Sequence, residues 1–502
     1  MAPERVIDLL HAGEADAPAI LPTGGPVMTH GDVRATVERL AGQLRAAGVG
    51  RGDRVAIVLP NGPEMALTFL AVTACATAAP LNPAYREDEF RFYMDDLQAK
   101  VLITLPDDAP AAHAAAEGSV ARMEVCGSGG EMAFTLGGKA LEAQAPVFSK
   151  ADDVALVLHT SGTTARPKLV PLRQRNLAVS ATNIRNALAL TPADRCLNVM
   201  PLFHIHGLMA GLLSSMAAGA SVVCSPGFDA FRFFAWMDET KPTWYTAVPT
   251  MHQLVLSRAE RYEGRLKGRL RFMRSSSAPM PPVVMERLEA LFDAPLIEAY
   301  GMTEASHQMA TNSLPPGRRR PGSVGRSAGI ALGIMDAEGA LLRPGERGEV
   351  AIKGESVMSG YENNPEANAS AFSFGWFRTG DEGYLDEDRY LYLTGRLKEL
   401  INRGGEKVSP REVDEVLLQH PAVAQAVAFA IPHERLGEDV GAAVVLADGA
   451  VAGERELREY AAQRLADFKV PRRIVIVPEV PKGPTGKVQR IGLAQKLGLI
   501  GS

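Results

Sequence analysis

Hydroxyls, a glycine and a lysine crowd the stretch LHTSGTTARPKLVPL, Leu158 to Leu172, directly after the apolar run DDVALVL. Thr160, Ser161, Thr163 and Thr164 supply donors, Gly162 admits a close backbone approach, and Lys168 adds positive charge. Such a loop can wrap a phosphate chain as a nest of donors, although it lacks the GxxxxGKS/T order of the common phosphate loop. Read alone, it is equally a Ser/Thr turn on a surface. Further groups sharpen the reading. YGMTEASHQM offers Tyr300, a ring to lie against a base, and the pair Thr303 and Glu304, suited to a phosphate and its Mg2+. GWFRTGDEGYLDED offers Asp381, able to take both hydroxyls of a ribose, and GRLKELI offers Arg396 for the same sugar. PKGPTGKVQR presents Lys487 on a glycine-flanked loop. Each of these, taken singly, is more often a solvated charge or a turn.

The elements that must position these groups alternate along the chain. RVAIVLP, EMALTFLAVTACATA and AKVLITL read as strand, helix and strand, the signature of a parallel sheet covered by helices. DRVAIVLPN from Asp53 returns as DRCLNVMPL from Asp194, an offset of 194 − 53 = 141, and similar elements follow each copy. Two copies of one α/β unit are the simplest explanation. From about Gly325 the texture changes to short strands and Gly-containing turns, a β-rich section. A boundary is expected near Arg396 to Lys398. Beyond it SPREVDEVLLQ predicts a helix with Ser409 as N-cap, Pro410 at the first position and Glu412 completing a capping box. The last hundred or so residues read as a small α+β domain.

The whole composition bounds the answer. At 502 residues two or more domains are expected, and 46% hydrophobic with 22% charged residues is ordinary for a soluble globular protein. A net charge of −5 gives no hint of a nucleic-acid surface, so an anionic ligand must be met by local cations. Cys75, Cys126, Cys196 and Cys224 have no metal-like spacing, which suits a reducing compartment. With no signal core, no spanning segment and no peroxisomal address in LGLIGS, a cytoplasmic protein is expected. No nucleic-acid, membrane or protein partner is read from the sequence.

In this order the motifs resemble the adenylate-forming, AMP-binding superfamily of acyl-CoA synthetases over nearly the whole chain. The resemblance implies an α/β fold: a large N-terminal domain over residues 1–397, with two similar α/β subdomains and a β-rich one, and a small mobile α+β C-terminal domain over 398–502. It implies ATP, Mg2+ and coenzyme A. Thr160 to Thr164 (with Ser161, Gly162 and Thr163) and Lys168 would cover the β- and γ-phosphates. Ser277, Ala278 and Pro279 would lie beside the acyl and adenine sites, with Tyr300 against the adenine and Gly301 among the nucleotide-binding residues. Thr303 would meet the α-phosphate, Glu304 the Mg2+, and Asp381 and Arg396 the ribose. Lys487 would bridge the acid and the α-phosphate, Lys398 would be the hinge, and Gly404 and Gly405 would line the pantetheine tunnel. Ala165 and Leu169 depart from the family's usual glycines.

The acid has its own signals. PLFHIHGL places His204 and His206 on the acyl side, RSSSAPM brings serines, and MTEASHQM adds His307. A fatty-acid tunnel would not want this polarity, whereas a small acid with a second carboxylate would. The bland alternative is that these histidines line water or gate a channel, as His204 is expected to do. The fuller stretches look most like oxalate–CoA ligases of plants and fungi, in which a serine and a histidine matching Ser277 and His307 anchor the far carboxylate. Rival readings are a CoA ligase for malonate, a short or medium-chain fatty acid or an aromatic acid, and a non-catalytic nucleotide-binding regulator.

Overall fold

The computed structural model describes residues 2–160, 167–262, 264–481 and 488–500. Two compact units emerge. The first holds the chain to Ala331 together with Ile352–Phe372; the second holds Leu332–Ala351 and the chain from Ser373 onward. The boundary expected at 397/398 falls inside the second unit, in the turn between the strands Leu391–Arg396 and Ile401–Arg403.

The internal repeat is present as topology. In an eight-stranded sheet, Arg54–Ile57 runs parallel between Thr77–Pro80 and Val101–Thr104. In a nine-stranded sheet, Arg195–Asn198 runs parallel between Ser221–Cys224 and Trp244–Ala247 in the same order. The helix after each second strand also corresponds. Glu87–Leu97 buries Phe90, Met94 and Leu97, one apolar stripe at helical spacing, and stops at Gln98 in the left-handed conformation. Phe233–Thr240 buries Phe233, Trp236, Met237 and Thr240 and stops at left-handed Lys241. The helix Pro63–Cys75 starts with Pro at its first turn and is buried from Met65 to Cys75, as expected of an element inside a covered sheet.

The two copies are tied together. Asn61, just past the first strand of the first copy, accepts from the Leu202 N–H at 2.7 Å and donates to the Ser225 carbonyl at 2.9 Å. That contact braces the loop of the second copy that carries His204 and His206. The four cysteines are free thiols. Among the described residues no helix is long and apolar enough to cross a membrane.

Gly348–Lys353, Trp376–Leu385 and Leu391–Arg396 belong to one five-stranded sheet, the β-rich section expected from Gly325 on. The C-terminal α+β module packs the helix Pro410–Leu417 on the antiparallel pair Val423–His433 and Gly437–Leu446. The helix begins at Ser409 and Pro410 as expected, but the capping box does not form. The Ser409 hydroxyl donates to the Thr394 carbonyl, and Glu412 instead takes the Lys469 ammonium at 2.7 Å. Tertiary partners have outcompeted the local cap.

Inside this module Arg490 donates to Asp414 Oδ2 at 2.5 Å and to the Ala428 carbonyl at 2.8 Å, while Asp414 Oδ1 accepts the Ala428 N–H at 2.5 Å. Arg490 thereby anchors the chain a few residues after Lys487. Asp414→Ala removes the carboxylate from this buried pair. We expect a loss of about 3 kcal/mol, read as an earlier thermal or urea transition of the full chain, with Asp414→Asn losing less. Unchanged stability would show that the pair does not hold the module.

Candidate active site

The strand Phe272–Ser275 lies between Trp244–Ala247 and Leu296–Met302, and its register sets Arg274 beside Thr246 and Ile297. The Arg274 side chain is fully buried. Its Nη1 donates to His206 Nε2 and Thr246 Oγ1, both at 3.3 Å. Its Nη2 donates to His307 Nε2 at 3.2 Å and to Gln308 Oε1 at 3.1 Å. Its Nε finds no partner among the described residues. Burial lowers the guanidinium to about 9, so it remains charged at neutral pH.

Two rings and a serine complete the cluster. His206 and His307 stack at 4.8 Å with 24° between planes, and His206 Nδ1 lies 3.1 Å from Ser277 Oγ. Thr246 Oγ1 is 2.6 Å from His206 Nε2. Behind the strand, His252 bridges the Tyr245 hydroxyl at 2.9 Å and the Arg274 carbonyl at 3.1 Å, and burial lowers its imidazole to about 4. A neutral His252 thus holds the backbone that carries the cation.

The backbone here is strained. Ser277, Ser306 and His307 have φ of 73°, 52° and 91°, in the left-handed half that non-glycine residues avoid. A π-helix, Gly207–Leu213, begins directly after His206. Gly301 is required for a different reason: a Cβ on it would sit 1.9 Å from the His307 carbonyl oxygen.

Of the acid-pocket residues expected from sequence, the structure brings Ser277 and His307 into this cluster. The imidazole touching Ser277 is His206. His204 is half-buried two residues earlier, its ring 5.7 Å from that of Phe203. Arg274 and Thr246 were missed. The only signal for Arg274 was a charge inside an otherwise apolar strand.

The groups expected to meet the nucleotide fall in both units. In the first, Tyr300 and Gly301 lie on Leu296–Met302, and Thr303 and Glu304 follow on a single turn of 3-10 helix. Glu304 is buried and its Oε1 accepts from the Tyr361 hydroxyl at 2.8 Å; Lys168 Nζ stands 4.5 Å over the Tyr361 ring. Tyr361, which links two expected residues, was also missed, since nothing in SGYENN marks it. Thr160 and Lys168 are register partners in the hairpin of Val154–Thr160 and Lys168–Arg173. Ser161, Gly162, Thr163, Thr164, Ala165 and Lys487 lie outside the described residues. Leu169 is buried in the core, which explains a side chain where the family usually has glycine. Ala278 and Pro279 follow Ser277 on an exposed loop.

In the second unit Asp381 and Arg396 are register partners, with Arg396 Nε donating to the buried Asp381 carboxylate at 2.8 Å. Lys398 is exposed in the next turn. Gly404 and Gly405, at φ 62° and 99°, make the tight turn between Ile401–Arg403 and Glu406–Val408.

Comparison with known proteins follows this geometry. The AMP-binding enzyme family matches residues 11–362, and the AMP-binding enzyme C-terminal domain matches 412–487. A protein of Humulus lupulus, the probable CoA ligase CCL9, is 48% identical over 95% of this chain and 93% of its own. An oxalate–CoA ligase of Arabidopsis thaliana is 46% identical over 96% of this chain and 95% of its own. The crystal structure of ATP-bound MatB from Rhodopseudomonas palustris gives a TM-score of 0.89 at 30% identity, over 98% of this chain and 99% of that one.

The close approach at Gly301 is directly testable. Gly301→Ala must push His307 and its strand away, so we expect about 1–3 kcal/mol of destabilisation and a lost stack with His206. Thermal unfolding and a crystal structure of the variant would read both. An unshifted His307 would show that the strand pair gives way more easily than the backbone contact suggests.

Proposed function

The chain belongs to the AMP-binding enzyme family of AMP-forming acid–thiol ligases, and on that premise we propose that the acid it joins to coenzyme A is oxalate. The observation that carries this choice is the buried donor cluster of Arg274, His206, His307 and Ser277. An alkyl chain would leave the outward Ser277 hydroxyl unanswered, at a cost of about 1–3 kcal/mol, and the buried charge of Arg274 uncompensated. A second carboxylate answers both.

The chemistry then runs in two steps. One carboxylate oxygen attacks the α-phosphorus of ATP, and the bond to pyrophosphate breaks. The thiol of coenzyme A, losing its proton, attacks the acyl carbonyl carbon, and the bond to AMP breaks. Two anions meet in the first step, and we assign Lys487 to neutralise them, with Thr303 at the α-phosphate. Mg2+ supplies further neutralisation at the phosphates when bound. Glu304 suits it: Mg2+ keeps waters and phosphate oxygens and takes only one or two carboxylates, and the Glu304 carboxylate is buried and steadied through Oε1 by the Tyr361 hydroxyl. The buried carboxylate of Asp381, steadied by Arg396, suits the ribose hydroxyls. Lys168 and the loop from Thr160 are assigned to the outer phosphates, and Tyr300 and Gly301 to the adenine. We assign the pivot to Lys398 and the pantetheine to the Gly404–Gly405 turn, so that Lys487 serves one step and the glycines the other. A cytoplasmic setting fits the free thiols.

A panel of acids decides the substrate, scored by coenzyme A-dependent release of AMP. We expect oxalate to be preferred over malonate, hexanoate and benzoate. His307→Ala should lower oxalate kcat/KM by about ten- to a hundredfold, the worth of one charge-assisted hydrogen bond, with the KM for ATP nearly unchanged. Wild-type enzyme that ignores oxalate but activates hexanoate or benzoate refutes the choice of acid.

The half-reactions are separated by Lys487→Ala. Oxalate-dependent pyrophosphate exchange should vanish, while thioester formation from a supplied acyl-adenylate is largely kept. Normal exchange in this variant would overturn the role of Lys487.

A further inference from the structure

Arg274 is a buried cation without a counterion among the described residues. It makes no ion pair with a described residue, and its hydrogen-bond acceptors are two imidazoles, a hydroxyl and an amide oxygen. A charge sealed from water is normally paired or costs the fold heavily. Its surroundings therefore need a reason, and the direction of the hydrogen bonds supplies one.

A guanidinium carries donors and no acceptor, so any ring nitrogen it faces must offer a lone pair. His206 Nε2 and His307 Nε2 both face it, at 3.3 and 3.2 Å. Each ring is then neutral with its proton on Nδ1, because a second proton would place two cations in contact. The His206 Nδ1–H points at Ser277 Oγ, 3.1 Å away, and donates to it. The Thr246 hydroxyl closes the arrangement: it accepts from Arg274 Nη1 and shares with it, as a second donor, the single lone pair of His206 Nε2. Ser277 Oγ is thus occupied as an acceptor, and its own hydrogen is left to be donated outward. Ser277 is half-buried at the start of the exposed Ala278–Pro279 loop, so that direction is accessible.

We propose that Arg274 is a positioning residue for the second carboxylate of the acid, fixing His206 and His307 as Nδ1-protonated rings so that the Ser277 hydroxyl must donate to the substrate. The acid's carboxylate then stands where the missing counterion of Arg274 would be, within reach of its field though not in contact with it. This inference rests on the dicarboxylate reading above.

The test uses the full chain labelled with 15N-histidine, with the ring signals of His206 and His307 assigned through His206→Gln and His307→Gln. Wild type should show both rings protonated on Nδ1 and bare at Nε2. In Arg274→Met the His307 signal should lose that signature, and the oxalate KM in pyrophosphate exchange should rise at least about tenfold, with the ATP KM within about twofold. Arg274→Lys keeps the charge but cannot serve both rings at once, so its oxalate KM should also rise, by about fivefold or more. Should Arg274→Met fail to bind ATP and so prove misfolded, the lysine variant and the wild-type spectrum decide. Rings protonated on Nε2 in wild type, or an oxalate KM within about twofold of wild type in the folded variants, overturn the role of Arg274. A wild-type enzyme without oxalate turnover is a separate result, which refutes the acid and with it this inference.

Discussion

Arg274 can only donate hydrogen bonds, and every group around its guanidinium has to present a lone pair in answer. That one constraint reaches a long way. It selects the tautomers of His206 and His307, it sets which way the His206–Ser277 bond runs, and it joins segments far apart in the chain. The strand pairing that brings Thr246 beside Arg274 and the return strand that brings His307 and Gln308 must both be in place before the cation can be buried. A half-satisfied polar network is worse than none, so the cluster ties the acid end of the site to correct assembly of the sheet.

The sheet explains why these residues lie where they do. His206, Ser277, Thr303 and Glu304 all follow the carboxyl ends of strands in the nine-stranded sheet, and Thr160 ends its own strand in the eight-stranded one. Open α/β sheets present their ligand-binding loops at those ends. The repeat therefore supplies two scaffolds of one design, and the bridge from Asn61 to Leu202 and Ser225 fixes the second scaffold's histidine loop against the first. Backbone strain at Ser277 and His307 is tolerable because packed strands on either side hold it.

Much of this was legible in the sequence, for physical reasons. Parallel strands buried on both faces read as continuous apolar runs, and two such sets at a near-constant offset expose the repeat. Ser277 and His307 could be named because they match a serine and a histidine of the oxalate–CoA ligases the sequence resembles, in stretches whose polarity does not suit an acyl chain. Arg274 escaped because one charge in a short apolar strand does not tell whether that strand is interior; the register, with a strand on either side, does. Tyr361 escaped because its partner Glu304 is 361 − 304 = 57 residues away. The Ser409 cap failed for the same kind of reason: Ser409 and Glu412 obey the local pattern, yet Thr394 and Lys469, remote in sequence, offer better partners.

On the proposed dicarboxylate reading, the same network gives selectivity by exclusion. A hydrophobic pocket distinguishes acids weakly, because one methylene more or less changes binding by only about 1–3 kcal/mol. A pocket with a fixed donor and a buried cation behaves differently, since an acid lacking the second carboxylate leaves the Ser277 hydroxyl unanswered and the charge of Arg274 uncompensated. The penalty falls on the wrong substrate without any clash. It is largest where the donors cannot turn away, and the stacked rings, locked from behind by a buried cation and carried on a strained backbone, have nowhere to turn. Rigidity at Arg274 is thus what converts a few hydrogen bonds into discrimination.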